Sequence, residues 1–189
     1  MPRKGLTTET VIGAAALLAE EIGCESLTLH KLADRLNIKT ASLYTHIKGI
    51  EELYVLLSNL ALKQLGAAML DAVKGKQRGE AIRAMSVAYR DYAKQNPEMY
   101  RMIMKVPHSH SEQLVSTGKK VKAILFELLS QYTADQEKII FFSRYYHCIL
   151  HGFISLEQAG FFDDAITFEK SLSNIVDDFI EQLERSLPI

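Results

Sequence analysis

The stretch from Gln136 to about Gln158 constrains this chain more than any other. It carries Ile139, Ile140, Phe141, Phe142, Tyr145, Tyr146, Cys148, Ile149, Leu150, Phe153, Ile154 and Leu156 without a single Pro. Asp135 stands before it, where a helix cap belongs. So many apolar residues cannot share one helix face, and a helix that is apolar all round must be covered on more than one side. Ser143, Gly152, Ser155 and Ala159 add small residues that allow another helix to approach closely. In a chain of 189 residues a second subunit is the natural extra cover. The segment from about Phe168 to Leu187 offers a matching stripe of Leu172, Ile175, Val176, Phe179, Ile180 and Leu183. The two segments therefore predict half of an intermolecular four-helix bundle, with Ile175, Phe179 and the face around Gly152 in the interface.

The rest of the chain is helical by the same criterion. Thr7 or Thr8 can cap a first helix in which Val11, Ala14, Ala15, Leu18 and Ile22 form one face and Gly23 the stop. From Ile50 a long segment repeats Leu53, Leu57, Leu60, Ala61, Leu65 and Ala68 at helical spacing. Lys74 to Gly79 reads as a linker, Ala81 to Lys94 as a helix ended by Asn96-Pro97, and Met99 to Met104 as a short helix stopping at Pro107. No stretch sustains a two-residue alternation and no Gly-rich phosphate loop occurs, so the fold class is all-α with about nine helices. The apolar fraction, 48%, is ordinary for a globular protein. No uninterrupted apolar run has the length of a membrane span and no signal peptide is visible, so a cytoplasmic location is expected. Cys24 and Cys148 are too far apart to form a paired motif and read as small buried hydrophobes in a reducing compartment.

Chemistry concentrates between Thr28 and Lys48. Leu29, Leu32, Ala33 and Leu36 form an apolar stripe behind the potential cap Thr28, and Asn37 tolerates the left-handed backbone that ends a helix. A second short helix from Thr40 to about Ile47 turns Leu43 and Ile47 inward. Its other face carries Lys39, Thr40, Ala41, Ser42, Tyr44, Thr45 and His46, a polar surface free of acids. Two short helices joined this way suit insertion of the second into a DNA major groove. The net charge of −1 excludes a chain coated with nucleic acid, yet Lys31, Arg35, Lys39 and Lys48 make this surface locally basic. Arg3 and Lys4 add a basic arm, whereas acids gather at Asp163, Asp164, Asp177, Asp178, Glu181 and Glu184.

Residues 8 to 54 resemble the DNA-binding domain of the TetR family of bacterial transcriptional regulators. The likeness lies in TVIGAAALLAEEIG, SLTLHKLADRLNI and KTASLYTHIKGIEEL, above all Leu43-Tyr44 followed by His46, Lys48 and Glu51-Glu52-Leu53. Asn37 replaces the usual Gly and Ile47 the usual Phe. The segment CILHGFISLEQAGFF is similar to the subgroup named for a Trp-His-Gly motif, with His151 and Gly152 matching and the Trp position unfilled. The resemblance implies a helix-turn-helix domain over 1–48 and a helical ligand-binding and dimerisation domain over 49–189. It implies a homodimeric repressor, joined through its last two helices and released from a palindromic operator by a small molecule. No cofactor and no enzyme activity is expected.

On this plan Thr28, Tyr44, Lys48, Thr45 and His46 are candidates for phosphate or nearby contact, and Lys39, Thr40, Ala41 and Ser42 for base edges. For the effector, Tyr89, Tyr92, Met99, Met102, Met104, Phe126, Phe141 and Tyr145 offer soft aromatic surface. A mainly apolar ligand is expected there, with His147 or His151 as its polar anchor. The alternative is a metal-binding helical bundle, sensor or enzyme, since His147 and His151 stand at i and i+4 and His108 and His110 form a second cluster. Against it, neither the metalloprotease Glu nor a Glu-x-x-His repeat is present. A scaffold without a ligand is a third reading.

Overall fold

A computed structural model describes residues 6–104, 111–162 and 166–186. Among these there are nine α-helices, one 3-10 turn and no strand, the all-α class expected. The basic arm with Arg3 and Lys4, the His108/His110 cluster, Asp163 and Asp164 lie outside the described residues. The helices are α1 (Thr8–Ile22), α2 (Leu29–Arg35), α3 (Thr40–Leu43), α4 (Ile50–Ala72), α5 (Arg78–Gln95), α6 (Pro97–Met104), α7 (Glu112–Ser130), α8 (Gln136–Gln158) and α9 (Phe168–Ser186). They divide into two compact units, Met1–Lys63 with Asn96–Gly118, and Gln64–Gln95 with Lys119–Ile189.

In the first unit, Thr7 caps α1 by accepting the Thr10 N–H, and Gly23 ends it at φ 83°. Val11, Ala15 and Ala19 of α1 are fully buried with Leu32, Leu43, Leu53 and Leu57, so one core holds the first four helices. This unit also contains α6, which lies far along the sequence. Pro97 opens α6, and the Glu20 carboxylate of α1 accepts the next two N–H groups, of Glu98 (3.2 Å) and Met99 (2.9 Å). Glu98 is itself buried and accepts the Cys24 N–H at 2.8 Å. Helix α4 is long and apolar enough on average to cross a membrane, although no uninterrupted apolar run was visible. Its buried Ser58 donates to the Met102 carbonyl and its buried Asn59 accepts from Thr117, the pattern of a packed core helix.

In the second unit, α5 and α9 run antiparallel. A Cβ on Gly79 would meet the Ile180 side chain at 3.1 Å, and Arg83 pairs with Asp177. Gly79, expected in a linker, lies inside α5, and the turn before it uses Gly75 at φ 71°. Asp135 caps α8 by accepting the N–H groups of Glu137 and Lys138. The inner face of α8 buries Ile139, Phe142, Tyr146, Leu150, Phe153 and Ile154, while Ile140, Phe141 and Leu156 remain exposed on its other sides.

Two expectations change here. Phe179, expected between subunits, is 1% exposed within its own chain and packs on Phe142, Tyr145 and Tyr146. The reason is that the α9 stripe faces α5 and α8, leaving only Ile175 partly exposed. Cys148 is exposed, because it falls on the outer face of α8; Cys24 is buried as expected.

Candidate nucleic-acid interface and effector region

Thr28 caps α2, its Oγ1 accepting the Lys31 N–H at 3.2 Å. The turn that follows is a complete left-handed cap: Asn37 takes φ 53°, its N–H reaches the Asp34 carbonyl, and the Ile38 N–H reaches the Ala33 carbonyl, both at 3.0 Å. Helix α3 is shorter than expected. It ends at Leu43 instead of near Ile47, and the chain tightens as the His46 N–H bonds the Leu43 carbonyl. Thr45 contributes by donating its hydroxyl to the Ser42 carbonyl, competing with the helix ladder. Leu43 and Ile47 are buried, as their spacing required.

Lys39, Ala41, Ser42, Tyr44, Thr45 and Lys48 are therefore exposed, as is Thr28, with Thr40 and His46 half-buried. The basic residues differ in availability. Arg35 is held bidentately by Glu21, with both contacts at 2.7 Å, and the Lys31 ammonium donates to the Ser26 carbonyl. Lys39 and Lys48 make no ion pair among the described residues. The Glu52 carboxylate accepts the Lys48 N–H and so fixes the entry into α4.

The residues expected around an effector fall in both units. In the first, Met99 and Met102 are buried and Met104 is exposed. In the second, Tyr89 and Tyr92 are buried, Phe126, Tyr145, His147 and His151 are half-buried, and Phe141 is exposed on the outer face of α8. The structure brings Tyr89, His147 and His151 together. The Tyr89 hydroxyl lies 3.1 Å from His151 Nε2, and the two imidazoles stack with centroids 5.8 Å apart. His147 Nδ1 lies 2.6 Å from the Ser143 carbonyl, which only accepts, so that nitrogen carries the proton. Burial pushes both imidazoles toward the neutral form. His151 falls to about 4 through burial and then its neighbour His147, and His147 is lowered chiefly by burial. Nearby, Tyr146 bonds Ser86 and Tyr92 bonds Gln64, extending a seam of neutral hydrogen-bonding groups.

As for a metal at the i,i+4 histidine pair, among the described residues no three of His, Cys, Asp and Glu gather to hold an ion. The nitrogens already engaged with Ser143 and Tyr89 reduce what the pair can offer.

One polar constellation escaped the sequence reading. Arg90, only 4% exposed at its side chain, is held by Glu157 of α8 through Nε and Nη2 and by Glu169 of α9 through Nη1 at 3.0 Å. The only signal in the sequence was an arginine beside Tyr89 and one turn before the buried Ala93.

The family described as "Tetracyclin repressor-like, C-terminal domain" matches residues 82–179, just over half of the chain. The chain is 29% identical to the HTH-type transcriptional regulator YobS of Bacillus subtilis, across 96% of this chain and 95% of that one. It shares its fold with the TetR family transcriptional regulator PfmR of Thermus thermophilus, with a TM-score of 0.67, 23% identity and coverage of 90% of this chain and 97% of that one. A second such structure is a single-residue variant of TetR from Acinetobacter baumannii in complex with minocycline, with a TM-score of 0.70, 21% identity and coverage of 98% of this chain and 100% of that one. With the capped two-helix turn at one end of the chain and the matched helical domain over the other, this protein belongs to the TetR family of transcriptional regulators.

Proposed function

We propose that the protein is a homodimeric repressor that binds a palindromic operator through its residues 1–48. On this reading residues 49–189 bind an effector and dimerise. The observation that carries the reading is the exposed acid-free face from Lys39 to Lys48, with two unpaired lysines on a tightly capped helix pair. Lys39, Thr40, Ala41 and Ser42 open α3 and face base edges, while Thr28, Tyr44, Thr45, His46 and Lys48 flank them at the phosphates. The outer face of α8 supports the dimer: Phe141 and Leu156 are exposed apolar groups, and Gly152 has open space where a side chain would stand.

The effector of this reading is a small, mainly apolar molecule at the Tyr89–His147–His151 seam. Neutral imidazoles beside a tyrosine hydroxyl give donors and acceptors without net charge, which favours an uncharged or weakly polar ligand. The relative from Acinetobacter baumannii holds minocycline, and a small-molecule effector is proposed for this chain too. A ligand preferring the DNA-incompetent arrangement would shift the population away from the operator.

Selection of binding sites from random duplex DNA tests this directly. A palindrome with half-sites about 34–36 Å apart, or a little more, is the expected product. Leu156→Asp at the exposed α8 face should give folded monomers with poor operator affinity. Failure to enrich any sequence, or sedimentation of the unaltered protein as a monomer at micromolar concentration, would overturn the reading.

A further inference from the structure

Between α5 and α9 in the second unit lies a cleft of about 270 Å³. That is slightly below the roughly 300–1,000 Å³ of ordinary ligand sites, so its occupant must be small. Val87, Leu172 and Val176 provide an apolar lining, and Arg90 and Lys94 stand along the same cleft. Its lining includes none of Tyr89, His147 and His151; Ser86, which bonds Tyr146 at the edge of that seam, is the one residue the two share.

The two carboxylates on Arg90 are not equivalent. Glu157 is 12% exposed and grips the guanidinium at two nitrogens, whereas Glu169 is 65% exposed and holds only Nη1. Losing Glu157 would strand a buried charge; losing Glu169 returns an exposed carboxylate to water and leaves Nη1 alone to be filled. The position at Nη1 is thus filled by a replaceable anion. Lys94 makes no ion pair among the described residues and adds positive potential beside Glu169. Arg83, also on the cleft, is already neutralised by Asp177 at 2.5 Å. Asp91 is the remaining carboxylate on the lining and Glu157 stays on Arg90, so once Glu169 has swung out two acids balance Arg90 and Lys94, and only the place at Nη1 is open to a ligand's carboxylate.

We propose that this cleft binds a small amphiphile whose apolar body lies on Val87, Leu172 and Val176 and whose carboxylate replaces Glu169 on Arg90. A neutral head group would leave Nη1 without its anionic partner, and a purely ionic ligand would leave the apolar lining uncovered. The site is independent of the DNA-binding assignment and is distinct from the proposed effector seam.

Calorimetry on the full chain with octanoate, octanamide and butanoate tests it. Octanoate should bind, and the other two more weakly, one lacking the charge and the other the apolar body. Glu169→Gln should tighten octanoate about threefold, the scale of an exposed ion pair, while leaving octanamide unchanged. Lys94→Ala should weaken octanoate by a similar factor. Val87→Asp, at an exposed position where the fold is not at risk, should abolish octanoate binding. Absence of octanoate binding, binding indifferent to Val87→Asp, or equal effects of Glu169→Gln on acid and amide would each overturn the proposal. So would dissociation of a dimer by Val87→Asp together with no octanoate binding, which would give the cleft to a second copy of the chain.

Discussion

The surface formed by α2 and α3 and the interior shared by α5, α8 and α9 use polar side chains in opposite ways. Around α3, polar groups face water, lie within about twenty residues of one another in the chain, and, among the described residues, Lys39 and Lys48 make no ion pair. Between α5 and α8, polar groups are buried, come from positions sixty or more residues apart, and satisfy one another: Ser86 with Tyr146, Tyr89 with His151, Arg90 with Glu157. The first arrangement leaves donors free for an external polyanion. The second holds hydrogen-bonding capacity in a low-dielectric interior, where a ligand must exchange with an existing partner. Substitutions should therefore separate: the interior ones change stability and the surface ones recognition, except at Thr28, whose side chain also caps α2.

The largest effect should come from Phe179→Ala. Removing a ring packed among Phe142, Tyr145 and Tyr146 should cost about 3–5 kcal/mol in denaturant unfolding. A loss below about 1 kcal/mol would return Phe179 to the intersubunit role expected from its stripe. The histidine seam comes next. His151 is held at about 4 when folded, against about 6.5 when unfolded, so between these values the unfolded chain binds more protons. Stability should thus be full above pH 6.5 and fall by a few kcal/mol toward pH 4, on the order set by that difference. Chemical denaturation followed across this window should show the fall, and His151→Phe should flatten it. An unchanged slope would mean that other groups carry the titration.

At the surface, effects should be smaller and leave unfolding curves unmoved. Lys39→Ala should cost about 1–3 kcal/mol at its own base pair and little elsewhere, if tested against a panel of operator variants. Lys48→Ala should weaken all sequences alike and reduce the salt slope of binding by about one. Should the two lysines behave identically, the division into base and phosphate contacts would be wrong. Thr28→Ala marks the meeting point of the two regimes, because Thr28 is both an exposed candidate contact and the cap of α2. It should cost about 1 kcal/mol of stability as well as affinity.

How much of this was legible beforehand follows from the distance over which each decision is made. The helix class, a threonine cap at Thr7 or Thr8, the caps at Thr28 and Asp135, the left-handed turn at Asn37 and the exposure of Lys39 and Tyr44 depend on residues within a few positions. Periodicity and capping chemistry encode such local choices directly, so the sequence by itself determined them. The length of α3 was missed because the Thr45 hydroxyl bonds back to Ser42, a competition that spacing does not display. The rest was decided by tertiary structure. Nothing local says that Phe179 turns toward α8 and Cys148 away from the core, that Glu20 caps a helix beginning at Pro97, or that Arg90 gathers Glu157 and Glu169. A helix shows its apolar stripe in its sequence, but which neighbour covers the stripe is chosen by packing among elements far apart in the chain. Buried charges escape for the same reason: an arginine in an amphipathic helix looks like any solvated residue until the carboxylates that make its burial tolerable arrive from two other helices.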